Sequence, residues 1–236
     1  MHLLLSALAP VIIILFYIYF RDKYEKEPIS LLLLSILAGV IIVLPILLIE
    51  GLISSWNPFA GNPDVHIQNA AYDAFLVASL VEEGFKFLAL YLLLWRNKNF
   101  NEKFDGIVYA VFISLGFAAV ENIMYVNRGG YDVALIRAMT AVPAHALFGI
   151  RMGYFFGVAK MYSELRKTYL PLAFLYPFLL HGVYDFLLMT GSNWLLVVFV
   201  PYLVLLYFLG FRKMKITSDT SIYNTKAELE EEQGGE

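Results

Sequence analysis

Seven long apolar blocks run along this chain, each closed by a short polar stretch. They cover roughly residues 3–20, 29–54, 69–95, 105–126, 134–160, 169–190 and 194–211. About 20 apolar residues suffice for an α-helix to cross the hydrocarbon core of a bilayer. The pattern therefore predicts an all-α polytopic membrane protein, a bundle of about seven transmembrane helices. The connections are short and no block repeats another, so residues 1–213 read as a single transmembrane domain. The first block has no basic region before it, and its small-x-small pair, Ala7 and Ala9, comes too early to follow a hydrophobic core. It is expected to be an uncleaved first helix rather than a signal peptide. The last residues, 214–236, end in KAELEEEQGGE, which has no apolar periodicity and reads as a solvated, disordered acidic tail.

The polar stretches set an orientation. Arg21, Lys23 and Lys26 follow the first block, and Arg96, Lys98 and Lys103 follow the third. Lys160, Arg166 and Lys167 follow the fifth, and Arg212, Lys213, Lys215 and Lys226 the seventh. These are thirteen of the 17 basic residues, all on one side of the alternation, whereas the other side has Arg128 in a loop and Arg137 near a helix end. Basic residues mark cytoplasmic loops, so the N-terminus is expected outside and the C-terminus in the cytoplasm.

Composition agrees with this reading. The chain is 60% hydrophobic and 16% charged, against about 45–50% and about 25% for a soluble domain. With a mean hydropathy of +0.67, a multi-pass membrane protein is expected, with the lipid bilayer as a partner. There is no cysteine, which removes disulfides, a thiol nucleophile and cysteine metal sites. No phosphate-binding loop is present and nothing suggests nucleic acid.

Against this background, ionisable groups inside the blocks need a reason, because one charge at the centre of a membrane helix costs about 2.5–3.5 kcal/mol. The third block carries Glu82, Glu83 and Lys86, the fourth Glu121 and Asn122, the fifth His145, and the sixth His181 and Asp185. Residues three or four apart share a helix face, so both glutamates can approach Lys86 and Asp185 can reach His181. At 1.5 Å per residue these groups all fall between mid-membrane and the outer leaflet, which suggests one cluster. Gly149, Gly153 and Gly157 follow His145 at four-residue steps, a spacing that lets helix backbones approach. Pro143 and Pro177 can kink their helices.

Each group also has an uneventful reading. A salt bridge to Lys86 needs one carboxylate, and the second glutamate is the excess that favours function. A carboxylate in an apolar site can serve as a general base. His145 alone is as much a core histidine as a ligand or catalyst, whereas a carboxylate beside His181 would fix its tautomer. Asn122 is a helix–helix hydrogen bond or an oxyanion donor. Arg151 is assigned to structure or headgroups, and Glu50 and Asp73 to the interface. The usual zinc-protease motif H-E-x-x-H, an aspartyl G-x-G-D and a rhomboid-like G-x-S-G are absent. On the residues alone, a protease competes with a proton-coupled transporter or ion pathway, and with metal or haem binding through His145 and His181.

The set E-E-x-x-K at 82–86, F-x-x-x-E-N at 117–122, a lone histidine at 145 and H-x-x-x-D at 181–185 resembles the PrsW family, bacterial intramembrane proteases related to the CAAX prenyl endopeptidases. YIYFRDKYEKEP, DGIVYAVFISLGFAAVENIMY and HGVYDF match as well, so the resemblance spans about residues 7–213. It implies first-step (site-1) cleavage of a single-pass membrane anti-sigma factor, which activates an alternative sigma factor under envelope stress. It also implies a glutamate-activated water with no cofactor required. Catalytic roles would then fall on Glu82, Glu83, His145 and His181, with Lys86, Glu121, Asn122 and Asp185 in support. Asp185 stands where CAAX relatives have asparagine and Glu121 where they have histidine. A carboxylate at either place repels an oxyanion unless it is protonated.

Overall fold

The computed structural model describes residues 2–223. Helices account for its regular structure, with no strand among the described residues. In chain order they are α1 (His2–Arg21), α2 (Ile29–Ile41), α3 (Val43–Ser55), a 3₁₀ turn (Pro63–Val65), α4 (His66–Tyr72), a π-helical segment (Asp73–Ser79), α5 (Leu80–Leu94), α6 (Lys103–Met139), α7 (Ala141–Met161), α8 (Arg166–Met189) and α9 (Asn193–Asp219).

Among the described residues, five helical stretches are long and apolar enough to cross a membrane: His2–Arg21, Ile29–Ser55, Lys103–Met161, Arg166–Met189 and Asn193–Asp219. The third apolar block is helical too, but it is divided among α4, the π segment and α5. The fourth and fifth blocks, read as 105–126 and 134–160, lie within one composite stretch. The first residues of the tail expected from residue 214 are helical. Helix α9 runs to Asp219 with Met214, Thr217 and Ser218 buried, and Ser221 Oγ donates to Glu102 Oε2 at 2.5 Å. The acidic KAELEEEQGGE stretch lies outside the described residues.

Helices α6 and α7 form the core of the bundle. Their interface is built on small residues, because lipid offers no hydrophobic drive for helices to associate and close packing has to supply it. Gly149, Gly153 and Gly157 all face α6, as their four-residue spacing anticipates. A Cβ at Gly153 would run into the backbone of Gly106 and Ile107. Pro143 lies in the first turn of α7, where a missing N–H is harmless, so it does not kink that helix.

One backbone feature matters for the site. Gly130 adopts φ 71°, ψ −157° inside α6, a conformation that costs glycine little and other residues much. There the helix axis breaks and the chain folds back. In a straight helix Glu121 and Arg137 would stand roughly 24 Å apart; here their side chains meet at 2.8 Å. Ala134, on the returning segment, packs with Ala7 and Val126 in a small apolar cluster.

The basic loops gather at one end of the bundle. Arg21 pairs with Asp219 at 3.0 Å, Asn101 donates to Glu25 at 3.1 Å, and Lys160 donates to Leu94 O and Asn97 O at 2.8 and 2.9 Å. Several acids are buried with them, among them Asp22, Glu27 and Glu102. Burial lifts the carboxyls of Asp22 and Glu27 up to about 7, and Glu27 also accepts a short hydrogen bond from the Tyr109 hydroxyl.

Candidate active site

The site begins with a helix that changes its winding. The π segment Asp73–Ser79 leads directly into α5, and such segments recur at functional sites. It is pinned to α8, because Ser79 Oγ donates to Phe178 O at 2.5 Å and the Phe75 ring fills the space that Gly182 leaves open. Helix α5 then presents Glu82, Glu83 and Lys86 on one face, as the three- and four-residue spacing requires.

Lys86 is the centre of the cluster. Its ammonium, fully buried, donates to Glu82 Oε2 at 2.9 Å and Glu83 Oε1 at 2.8 Å, and lies 3.3 Å from His145 Nδ1. The Phe117 ring covers it at 4.3 Å from the centroid, which gives the first residue of F-x-x-x-E-N a physical role. An ammonium has three donors and no acceptor, so these contacts use all three protons. They also require His145 Nδ1 to be an acceptor. With Nδ1 as the acceptor, the His145 proton sits on Nε2, which lies 2.9 Å from Glu121 Oε2. The same Glu121 oxygen takes a second hydrogen bond from Arg137 Nη2 at 2.8 Å.

His181 sits between two carboxylates, with Nδ1 3.0 Å from Glu83 Oε1 and Nε2 3.1 Å from Asp185 Oδ2. A neutral imidazole donates from one nitrogen only, so this chain of groups holds one further proton, on the imidazole or on a carboxyl. The Phe148 ring stacks on the imidazole at 4.9 Å and fixes its plane. All four catalytic expectations and the four supporting ones (Lys86, Glu121, Asn122, Asp185) thus fall in one hydrogen-bonded network, which Asn122 joins through Arg137. Asn122 is fully buried and tied to structure: it donates to Ala7 O at 2.7 Å and accepts from Arg137 Nε at 2.7 Å.

The network forms one wall of a cavity of about 590 Å³. Glu50, Glu82, Glu121, Arg137, His145, His181 and Asp185 line it, together with Ser54, Asp73, Arg128 and Met189 at the end away from the basic loops. Glu83 and Lys86 are sealed behind them, at 0% exposure each, and Glu83 Oε2 is buried with no hydrogen-bond partner among the described residues. The two adjacent glutamates are therefore not equivalent: Glu82 meets the cavity, and Glu83 anchors Lys86 and His181 from behind.

Several cavity residues are not in the set expected from sequence, Glu50 and Arg137 foremost. Glu50, assigned to the interface, belongs to the cavity wall. Arg137 enters the sequence reading only as a charge near a helix end. The Gly129–Gly130 pair, followed by an arginine inside an apolar run, is the one sequence signal that could have marked it. Arg151 is buried beside Tyr176, its guanidinium 5.4 Å from the ring centroid, as a structural assignment requires.

Ionisable groups from α3, α5, α6, α7 and α8 meet on one cavity, the arrangement of a polytopic membrane enzyme. Comparison with known proteins gives its family. Residues 27–210 match the model described as PrsW family intramembrane metalloprotease. Among curated relatives, Protease PrsW of Oceanobacillus iheyensis is 38% identical over 224 residues, 95% of this chain and 100% of that protein. Protease PrsW of Geobacillus kaustophilus is 41% identical over 192 residues, 81% of this chain and 82% of that protein. Protease PrsW of Bacillus subtilis is 37% identical over 211 residues, covering 89% and 93%. No solved structure matches the chain. The chain belongs to the PrsW family of intramembrane proteases; it is a peptidase and a multi-pass bacterial membrane protein.

The family description includes a metal, and the donor set can be tested for one. Glu82, Glu83 and His145 offer ligand atoms within 4.8 Å of one another, all buried. A metal bound there would stand among the same atoms that the Lys86 ammonium holds. A metal there needs the His145 Nδ1 lone pair that Lys86 already takes, and the carboxylate oxygens that Lys86 leaves, Glu83 Oε2 among them, do not replace it. As arranged, the residues do not fit a resident metal; the seat belongs to a side-chain cation.

Proposed function

We propose that this protein makes the first, site-1 cut in a single-pass membrane anti-sigma factor, and so activates an alternative sigma factor under envelope stress. The resemblance of its motifs to the family's supports the substrate class. The clustering of the basic loops at one end supports an N-terminus outside and a cytoplasmic C-terminus. With that orientation, the cavity residues Ser54, Asp73, Arg128 and Met189 belong to the outer end. The cut would then fall near the outer membrane boundary of the substrate, in a stretch unwound from helix so that its carbonyl is free of internal hydrogen bonds.

The observation that carries the mechanism is the asymmetry of the two glutamates: Glu82 faces the cavity and Glu83 is sealed from it. Glu82 is the general base. It takes a proton from a water in the cavity, and the hydroxide adds to the scissile carbonyl carbon. His145 or His181 gives a hydrogen bond to the oxyanion, and to do so its Nε2–H has to leave the carboxylate that holds it, Glu121 or Asp185. Loss of one such donor costs on the order of 10²–10³ in rate. The tetrahedral adduct then expels the amine; the C–N bond breaks and the proton on Glu82 passes to the leaving nitrogen. Lys86 holds both glutamates in place. The test is cleavage of a single-pass substrate by purified wild-type and Glu82→Gln protein in proteoliposomes. Cleavage by the wild type alone is expected; equal rates would reject Glu82 as the base.

A further inference from the structure

Arg137 occupies a place that its sequence position does not suggest. The left-handed turn at Gly130 sends residues 131–139 back along α6, and this return puts the guanidinium against Glu121 and Asn122. Its plane is fixed a third time by the Tyr125 ring, 4.1 Å away. Two of its nitrogens are thus committed, Nε to Asn122 and Nη2 to Glu121, and the side chain lines the cavity wall beside His145.

We infer that Arg137 is a positioning residue: by holding Glu121 against Asn122, it fixes His145 in the one tautomer that Lys86 can also bond. Lys86 can only donate, so His145 Nδ1 has to be bare. His145 Nε2 must then carry the proton and needs an acceptor. Glu121 Oε2 is that acceptor, at 2.9 Å. The charged groups around it are Lys86 from α5, Glu50 from α3, His145 from α7 and Arg137 from the return segment. Among them Arg137 is the permanent cation in direct contact, at 2.8 Å, since a guanidinium does not deprotonate in proteins. Without it, the bridge between Glu121 and Asn122 is lost, and nothing keeps an acceptor against His145 Nε2. The imidazole can then turn away from the arrangement that leaves Nδ1 to Lys86.

This inference rests on His145 belonging to the proteolytic site, but its main readout needs no substrate. Nitrogen NMR on ¹⁵N-histidine-labelled protein in detergent reports which ring nitrogen carries the proton. The His145 signals are those that disappear in His145→Gln. The wild type should show Nε2 protonated and Nδ1 bare. Arg137→Gln should lose that single state, with kcat reduced about 10²-fold, the scale of a reacting group displaced by about 1 Å, and KM little changed. Arg137→Lys keeps the charge but loses the two-point bridge. It should keep the tautomer with kcat lowered and KM unchanged, and it decides the matter if the Gln variant does not fold. A folded Arg137→Gln protein with the wild-type tautomer would overturn the inference, as would wild-type kcat in Arg137→Lys or an Nδ1-protonated His145 in the wild type. If the wild type cleaves nothing, the proteolytic reading fails while the tautomer result stands by itself.

Discussion

Replacing each of the two adjacent glutamates by glutamine should separate chemistry from structure. Glu82→Gln removes the general base but leaves Lys86 bonded to Glu83, which alone keeps a buried counter-charge at 2.8 Å. Cleavage should fall by about 10²–10⁴, the range for loss of general-base catalysis, with the melting temperature close to wild type. Glu83→Gln is different. Glu83 accepts from both Lys86 at 2.8 Å and His181 at 3.0 Å, and its side chain is fully buried. Removing one member of a buried ion pair costs about 3–5 kcal/mol, because the partner charge is left uncompensated. Glu82 still offers Lys86 a carboxylate at 2.9 Å, so the lower end of that range applies, about 3 kcal/mol. For a chain of this size that corresponds to a drop of roughly 6–12 °C in Tm. Both variants should be nearly inactive, but only Glu83→Gln should be destabilised. The assay is thermal unfolding in one detergent alongside cleavage of a common substrate. A stable Glu83→Gln, or an active Glu82→Gln, would refute the assignment of roles.

Two further outcomes follow from the same geometry. Lys86→Met should open the seat among Glu82, Glu83 and His145 to a divalent ion, seen as stoichiometric Co(II) with visible absorption, whereas the wild type binds none there and keeps its activity after exhaustive chelation. Cobalt binding with Lys86 in place, or activity that returns only with one metal, would count against this. At the basic end, Asp22 and Glu27 hold their protons up to about pH 7 in the folded protein, whereas the unfolded chain releases them near pH 4. Their contribution to stability is therefore full in acid and lost as pH rises through about 7. Melting curves should show that fall, and Asp22→Asn should flatten it; an unchanged slope would show that Asp22 is not its source.

The parts of this site that could be read from sequence are those fixed by local spacing. Glu82, Glu83 and Lys86 had to share a face, and so did His181 and Asp185, because helical periodicity dictates it. The Gly149–Gly153–Gly157 stripe likewise had to meet a neighbour closely. What escaped depends on backbone departures that spacing does not encode. The block at 69–95 reads as one plain helix, and nothing in AYDAFLVASL announces a π segment. Arg137 escaped because the Gly130 turn looks like an ordinary loop between two spans, and only the fold-back brings the arginine to Glu121. Glu50 was taken as interfacial because counting residues along α3 gives its depth and not the direction in which its helix faces. The difference between Glu82 and Glu83 was also out of reach, since adjacent residues on a helix differ by facing, and facing is set by the partners α6, α7 and α8.

The most direct measurement is the intact mass of both products when the reconstituted protein acts on a single-pass anti-sigma factor. One hydrolysed peptide bond is expected, near the outer membrane boundary of the substrate. It should release most of the extracytoplasmic domain and leave a membrane stub joined to the cytoplasmic part, and Glu82→Gln should yield neither product. A cut on the cytoplasmic side, the same products from Glu82→Gln, or no cleavage of any such substrate would contradict a Glu82-driven protease whose cavity opens outward.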